Sequence, residues 1–191
     1  SDNGPEVSTV LNMRKHHAHD GAKPWRGMKR DNWEGGHRVP LLARWPGKIE
    51  PGSTTEQTTC LTDLMATCAA IAQADLPADA AEDSFSFLPL LKGSASPTRA
   101  HAISCASAGT PGLRLGNWKY IPTQPAQLYD LANDLGETKN LASTNPDKAK
   151  EMLERLIAWR KETNAPMPTP NKKAEAGETP AGKKKGKGKG K

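Results

Sequence analysis

The sequence predicts an α/β protein, on three observations. A short apolar run over residues 39–45 is closed by Pro46-Gly47, the profile of a buried strand ending in a turn. Leu61, Leu64, Met65, Cys68, Ile71 and Ala72 then keep the i, i+3, i+4 spacing of an amphipathic helix. Beyond His101 the period shortens to several brief strand-like runs, and a last helical pattern follows them.

Taken in order, residues 1–38 are polar and rich in Gly, His and Arg, which reads as loop. After the strand at 39–45, Thr58 or Thr59 is placed to cap the first helix. Residues 74–84 form a connector of small and acidic residues, and "FLPLLKG" is a short apolar patch. Strands are expected at 101–107, 113–115, 118–121 and 127–131, with Gly116-Asn117 as a two-residue hairpin turn inside a small antiparallel sheet. Asn145 followed by Pro146 is a helix start, since proline at the first helical position loses no needed N–H. The stripe Ala149, Met152, Leu153, Leu156, Ile157 and Trp159 can lie against that sheet. After Asn164 the chain turns to Pro, Gly, Ala and Lys, a composition that predicts disorder.

The net charge of +6 is unevenly placed. Eight of the 27 basic residues and two of the 21 acidic ones fall in residues 172–191, which leaves nineteen of each in the rest. The body is therefore neutral, and the high isoelectric point describes the tail. Charge alone would let that tail hold an anionic polymer, but with no interleaved aromatic it points to no specific nucleic acid. No apolar stretch reaches the roughly 18 residues of a membrane span, and residues 1–191 carry no signal-peptide pattern, which for a chain expected to be truncated is no sign of the cytoplasm. Cys60 and Cys68 sit about 12 Å apart along the expected helix, too far for a disulfide, and no C-x-x-C pattern exists.

Four stretches carry candidate chemistry. Asp2 and Asn3 offer small oxygen donors beside Gly4, enough for part of the six-to-eight-oxygen shell that a hard cation such as Ca²⁺ takes. Lys29 lies in a glycine-bearing loop, "RGMKRDNWEGGHR", where an ammonium can meet a tetrahedral anion. Glu34 and Arg38 are spaced to pair and brace that loop. "HHAHDG" supplies the first half of an H-x-H-x-D-H zinc motif, but Gly21 and Ala22 occupy the next two ligand positions. It is a loop near a site mouth, where His19 could touch a substrate. An EF-hand register from Asp130 puts Ala132 at a ligand position and fails, so "DLANDLGE" reads as a turn closing the small sheet.

The blocks "SDNGPE", "GMKRDNWEGGHRVPLLARWPGKIEPG", "TDLMATCAAI", "LRLGNWKYI" and "LYDLANDLGETKNL" occur in this order over about residues 1–160. Together they resemble the C-terminal part of the formylglycine-dependent type I sulfatases, in particular arylsulfatase-like bacterial members. The resemblance implies an alkaline-phosphatase-like α/β fold, cut so that residues 1–95 are the end of the catalytic domain with its central sheet. Residues 96–164 would be a small antiparallel sheet packed by a helix, and 165–191 a disordered basic tail. It also implies a sulfuric ester hydrolase acting on a sulfated small molecule or glycan, periplasmic or secreted in its full-length form. Asp2 and Asn3 map onto ligands of the divalent cation, usually Ca²⁺, and Lys29 onto the lysine that contacts the sulfate ester.

The sequence also departs from that family. The formylglycine nucleophile is made from the Cys of C-x-(P/A)-x-R, and none of Cys60, Cys68 and Cys105 begins that motif; all three read as core or near-core residues. The upstream acidic ligands, His and Lys are missing too, so the chain by itself is expected not to hydrolyse sulfate esters. Leu135 stands where the family has proline. Two rival readings are a phosphatase or phosphonate hydrolase of the same superfamily, and a non-catalytic module that docks anionic polymers through its tail.

Overall fold

The computed structural model describes residues 1–165. The expected disordered basic tail lies outside the described residues. Five helices and four strands are present among those described: α1 (Val7–His17), α2 (Glu34–His37), α3 (Asp63–Ala72), α4 (Leu88–Leu91), β1 (Ala102–Cys105), β2 (Pro111–Leu115), β3 (Trp118–Ile121), β4 (Gln127–Asp130) and α5 (Pro146–Glu162).

The four strands form one antiparallel sheet in sequence order, β1-β2-β3-β4. Gly116 has a φ of 57° and turns β2 into β3, with Leu115 opposite Trp118, as the Gly-Asn pair predicts. Because side chains alternate along each strand, the sheet has two distinct faces. Leu113, Tyr120 and Leu128 point to one side and bury against Met152 and Leu156 of α5. Arg114, Lys119 and Tyr129 point to the other, toward the loop that carries Trp33 and Glu34. Helix α5 begins at Pro146 as expected, although the Asn145 side chain makes no cap bond and instead accepts from the Thr144 hydroxyl at 3.1 Å. Of its stripe, Met152 and Leu156 are buried, whereas Leu153 and Ile157 are exposed.

Several expectations are corrected. Residues 1–38 are not all loop, for α1 occupies Val7–His17. Its signals are terminal: the Glu6 carboxylate accepts from Val7 N, Ala18 closes the helix at φ 48°, and Arg14, Lys15, His16 and His17 stand at the negative end of the dipole. Only Val10 is buried, so there is no apolar stripe to read.

The run at 39–45 is not a buried strand either. It is unpaired, and Leu42 is 91% exposed. A strand is stabilised by its ladder, Pro40 has no N–H to give one, and no described strand lies beside it.

Helix α3 starts at Asp63 with Thr62 as its cap residue, not Thr58 or Thr59, and no side chain caps it. Its buried face is the polar one. The Asp63 carboxylate accepts from Cys60 N and Phe85 N, and the Thr67 hydroxyl accepts from Phe87 N at 3.0 Å. Leu61, Leu64, Met65 and Ile71 are exposed. The cysteines follow the same pattern: Cys60 precedes the helix and is half-buried, while Cys68 and Cys105 are exposed, not core. All three are free.

Candidate functional site

The loop from Arg26 to Arg38 covers the second face of the sheet, and polar side chains pin it there. Arg26 stacks on Trp33 with its guanidinium 3.9 Å from the ring centre, and donates to the Tyr129 hydroxyl at 3.1 Å and the Glu137 carbonyl at 2.9 Å. Trp33 Nε1 donates to Gln127 Oε1 at 3.1 Å, and Asn32 Nδ2 to the Thr110 carbonyl at 2.6 Å. These bonds tie residues separated by 78 or more positions, so the loop is shaped by the sheet beneath it.

At the centre is Glu34, 1% exposed. Its carboxylate accepts from Arg38 Nε at 2.7 Å, Lys119 Nζ at 2.9 Å and Arg114 Nη1 at 3.1 Å. The expected Glu34–Arg38 brace is present, but Lys119 and Arg114 add two more cations. Burial would raise the Glu34 carboxyl, yet the Lys119 ammonium beside it and the Lys119 and Arg38 hydrogen bonds win and hold it at about 2. Burial and Lys119 together push His37 down to about 4, so at neutral pH the ring is uncharged. Its Nε2 lies 2.6 Å from Lys119 Nζ and serves as the acceptor there, since an ammonium can only donate. Glu137, fully buried, is driven the other way: burial raises it to about 7 against the pull of Lys119.

Residues 2–6 attach to this loop by backbone. Gly4 N donates to the Gly36 carbonyl at 2.9 Å, and Lys29 N donates to the Pro5 carbonyl at 3.0 Å. Gly4 is required at its position, because a Cβ there would collide with the Gly35 carbonyl oxygen and sit 2.9 Å from the Gly36 carbonyl carbon. Gly4→Ala is therefore expected to lower the urea midpoint by the equivalent of about 1–3 kcal/mol. An unchanged midpoint would mean that this packing contributes nothing to stability.

The seam thus brings the "DNG" stretch and the Lys29 loop together. Asp2 is exposed and Asn3 half-buried, and neither side chain has a hydrogen bond or ion pair to another described residue. Lys29 Nζ lies 3.8 Å from Glu6 Oε2, and Glu6 also takes Arg30 at 2.8 Å. The Arg30 hydrogen bond holds the Glu6 carboxyl below its ordinary range. His19 is on the exposed turn that ends α1, and its side chain makes no hydrogen bond or ion pair to the seam.

Residues 1–74 match the family model Sulfatase. The N-acetylgalactosamine-6-O-sulfatase of Bacteroides thetaiotaomicron is 31% identical over 176 residues, covering 82% of this chain and 34% of that protein. The chain belongs to the sulfatase family. Human arylsulfatase A is 32% identical over 185 residues, 82% of this chain and 35% of its own length. A solved structure described for the metabolism of multiple glycosaminoglycans by Bacteroides thetaiotaomicron matches with a TM-score of 0.75 at 28% identity, over 84% of this chain and 38% of that chain. The fold is thus the alkaline-phosphatase-like fold of sulfatases, and the chain spans about a third of the length of the relatives it matches.

Among the described residues of this sulfatase chain, no group of three or more His, Cys, Asp or Glu side chains is arranged to hold a metal ion. The donors present still suit a hard cation as part of a shell: one carboxylate and one amide oxygen, both uncommitted, on a segment fixed by close backbone packing. Sequence reasoning missed Lys119, Arg114 and Glu137. The signal available was a lysine in the middle of a strand, Trp118–Ile121, whose faces are both covered.

Proposed function

We propose that this chain serves sulfate-ester hydrolysis, with Asp2 and Asn3 as ligands of a divalent cation, Ca²⁺ by donor type, and Lys29 as the cation that meets the sulfate. The observation that carries the reading is the seam. Two backbone bonds, Gly4 to Gly36 and Lys29 to Pro5, join the two stretches that hold these residues, inside the region that matches the sulfatase model.

The chemistry follows from charge. A bound divalent cation polarises a sulfate oxygen and stabilises an attacking oxygen anion. Asp2 supplies negative charge and Asn3 a neutral oxygen to hold it, while Gly36 keeps their backbone in place through Gly4. The Lys29 ammonium offsets charge that builds on the departing or non-bridging oxygens. Glu6, 3.8 Å from Lys29 Nζ, is the anion beside that ammonium, and both side chains are exposed enough for Lys29 to turn toward a sulfate. The nucleophile, a formylglycine in our reading, is not among residues 1–191, since no cysteine here begins C-x-(P/A)-x-R. The substrate class is a sulfated sugar or small aryl sulfate. Support comes from the N-acetylgalactosamine-6-O-sulfatase and arylsulfatase A to which the chain is similar.

The test joins this chain to the nucleophile-bearing part of a sulfatase and follows aryl sulfate turnover. Lys29→Ala is expected to lower kcat by about 100-fold or more, the scale for removing one charge-stabilising group. Asp2→Ala is expected to raise the Ca²⁺ concentration needed for half-maximal rate. Wild-type turnover in Lys29→Ala at every substrate concentration would remove Lys29 from the site.

A further inference from the structure

Glu137 is an unfavourable residue to bury. Its side chain is fully enclosed, and Oε1 has no hydrogen-bond partner among the described residues. The nearest cation, Lys119 Nζ, is 3.9 Å from it and already donates to Glu34. An uncompensated buried oxygen costs about 1–3 kcal/mol, so an apolar side chain would suit this pocket better. What the carboxyl gains is one short bond: Oε2 accepts from Glu34 N at 2.7 Å.

That bond begins an unbroken line of contacts. The Glu137 carbonyl accepts from Arg26, and the Arg26 carbonyl accepts from Gly35 N at 2.7 Å. The Glu137 side chain therefore grips α2 at Glu34, while its backbone carbonyl, which any residue would supply, holds Gly35 through Arg26. The next residue, Gly36, offers its carbonyl to Gly4 N, next to Asn3 and Asp2, while the Pro5 carbonyl takes Lys29 N. Gly36 is wedged so closely that a Cβ there would strike the Asp31 carbonyl, leaving α2 no slack to absorb a shift.

We propose that Glu137 is a positioning residue that, through α2, sets where Asp2, Asn3 and Lys29 stand; the role rests on the cation and sulfate reading of those three residues. A turn at the far edge of the small sheet thereby fixes the geometry of the seam.

The test uses the full 191-residue chain, with amide hydrogen exchange and a Ca²⁺ titration followed by NMR at Asp2, Asn3 and Gly4. Glu137→Ala is expected to speed exchange at the Gly4 and Lys29 amides by about tenfold or more, with β2 and β3 amides within roughly twofold of wild type. The Ca²⁺ concentration that shifts Asp2 and Asn3 should rise with it. Glu137→Gln keeps an oxygen that accepts from Glu34 N and should restore both readouts. If Glu137→Ala does not fold, Glu137→Asp, which withdraws the oxygens by one carbon, is expected to give the same local loosening. The proposal is overturned if Gly4 and Lys29 exchange at the wild-type rate, if β2 and β3 loosen as much as they do, or if Glu137→Gln fails to restore them. A wild-type chain with no Ca²⁺ response at Asp2 and Asn3 would instead defeat the cation reading, and the exchange arm would still decide the role of Glu137.

Discussion

Glu34→Gln is expected to lower the free energy of unfolding at pH 7 by about 3–5 kcal/mol, the cost of breaking a buried ion pair from one side. The substitution keeps the size of the side chain and removes only its charge. Lys119, 1% exposed, would then be an ammonium with no anion closer than Glu137 at 3.9 Å. Arg114 and Arg38 lose their shared partner as well, though both reach solvent more easily. Adding Lys119→Met should recover much of the loss, because the uncharged pair no longer buries an uncompensated ammonium.

The same variant should change the acid limb of stability. A carboxyl held at about 2 in the fold and near 4.5 unfolded stabilises the protein above 4.5, and this is lost as pH falls toward 2. The full interval corresponds to about 3 kcal/mol. His37, lowered to about 4, also costs stability on acidification, from 6.5 downward through 4. Glu137 has the opposite sign: raised to about 7, its contribution is complete below 4.5 and is lost as pH rises through 7. Between 4.5 and 6.5 the last two therefore oppose each other, and below 4.5 Glu34 and His37 act together. Urea unfolding at pH 7, 5.5 and 3.5 checks this. A cost for Glu34→Gln below about 1 kcal/mol at pH 7, or an acid limb as steep as in wild type, would show that the cluster is not a stabilising unit.

Asp63→Ala should cost a similar amount, about 3–5 kcal/mol. Its carboxylate takes Arg99 in a fork, Nη2 at 2.7 Å and Nε at 3.0 Å, with the two side chains 6% and 0% exposed. It also receives Cys60 N at 2.8 Å and Phe85 N at 2.9 Å, so one side chain joins three segments to the start of α3. Alanine leaves two amides and a guanidinium short of partners, although Arg99 keeps the His101 and Asp83 carbonyls. Arg99→Lys should rescue little of an Arg99→Ala loss, since an ammonium cannot reproduce the fork. Equilibrium unfolding decides, and a loss under about 1 kcal/mol for Asp63→Ala would mean that the fork is dispensable.

These two clusters mark where sequence reading stops. Glu34–Arg38 was legible because its spacing is local to one helical turn. Lys119 and Glu137, 85 and 103 positions from Glu34, were not, because nothing in a strand "WKYI" or a turn "DLGE" says which charge will meet it. Asp63 reads as an ordinary acidic residue in a first helical turn, and only its contacts with Arg99, Phe85 N and Cys60 N make it a core residue.

Local rules by themselves determined the Gly116-Asn117 hairpin, the start of α5 at Pro146 and the antiparallel sheet. Each depends on backbone preference or on periodicity over a few residues. Tertiary structure alone decided the rest: that 39–45 finds no described strand to pair with, that α3 buries Asp63 and Thr67 in place of Leu64, Met65 and Ile71, and that the two faces of one sheet take unlike partners. The physical reason is common to all three. Burial and charge pairing depend on which distant surface arrives, and a sequence specifies its own spacing but not its neighbours'.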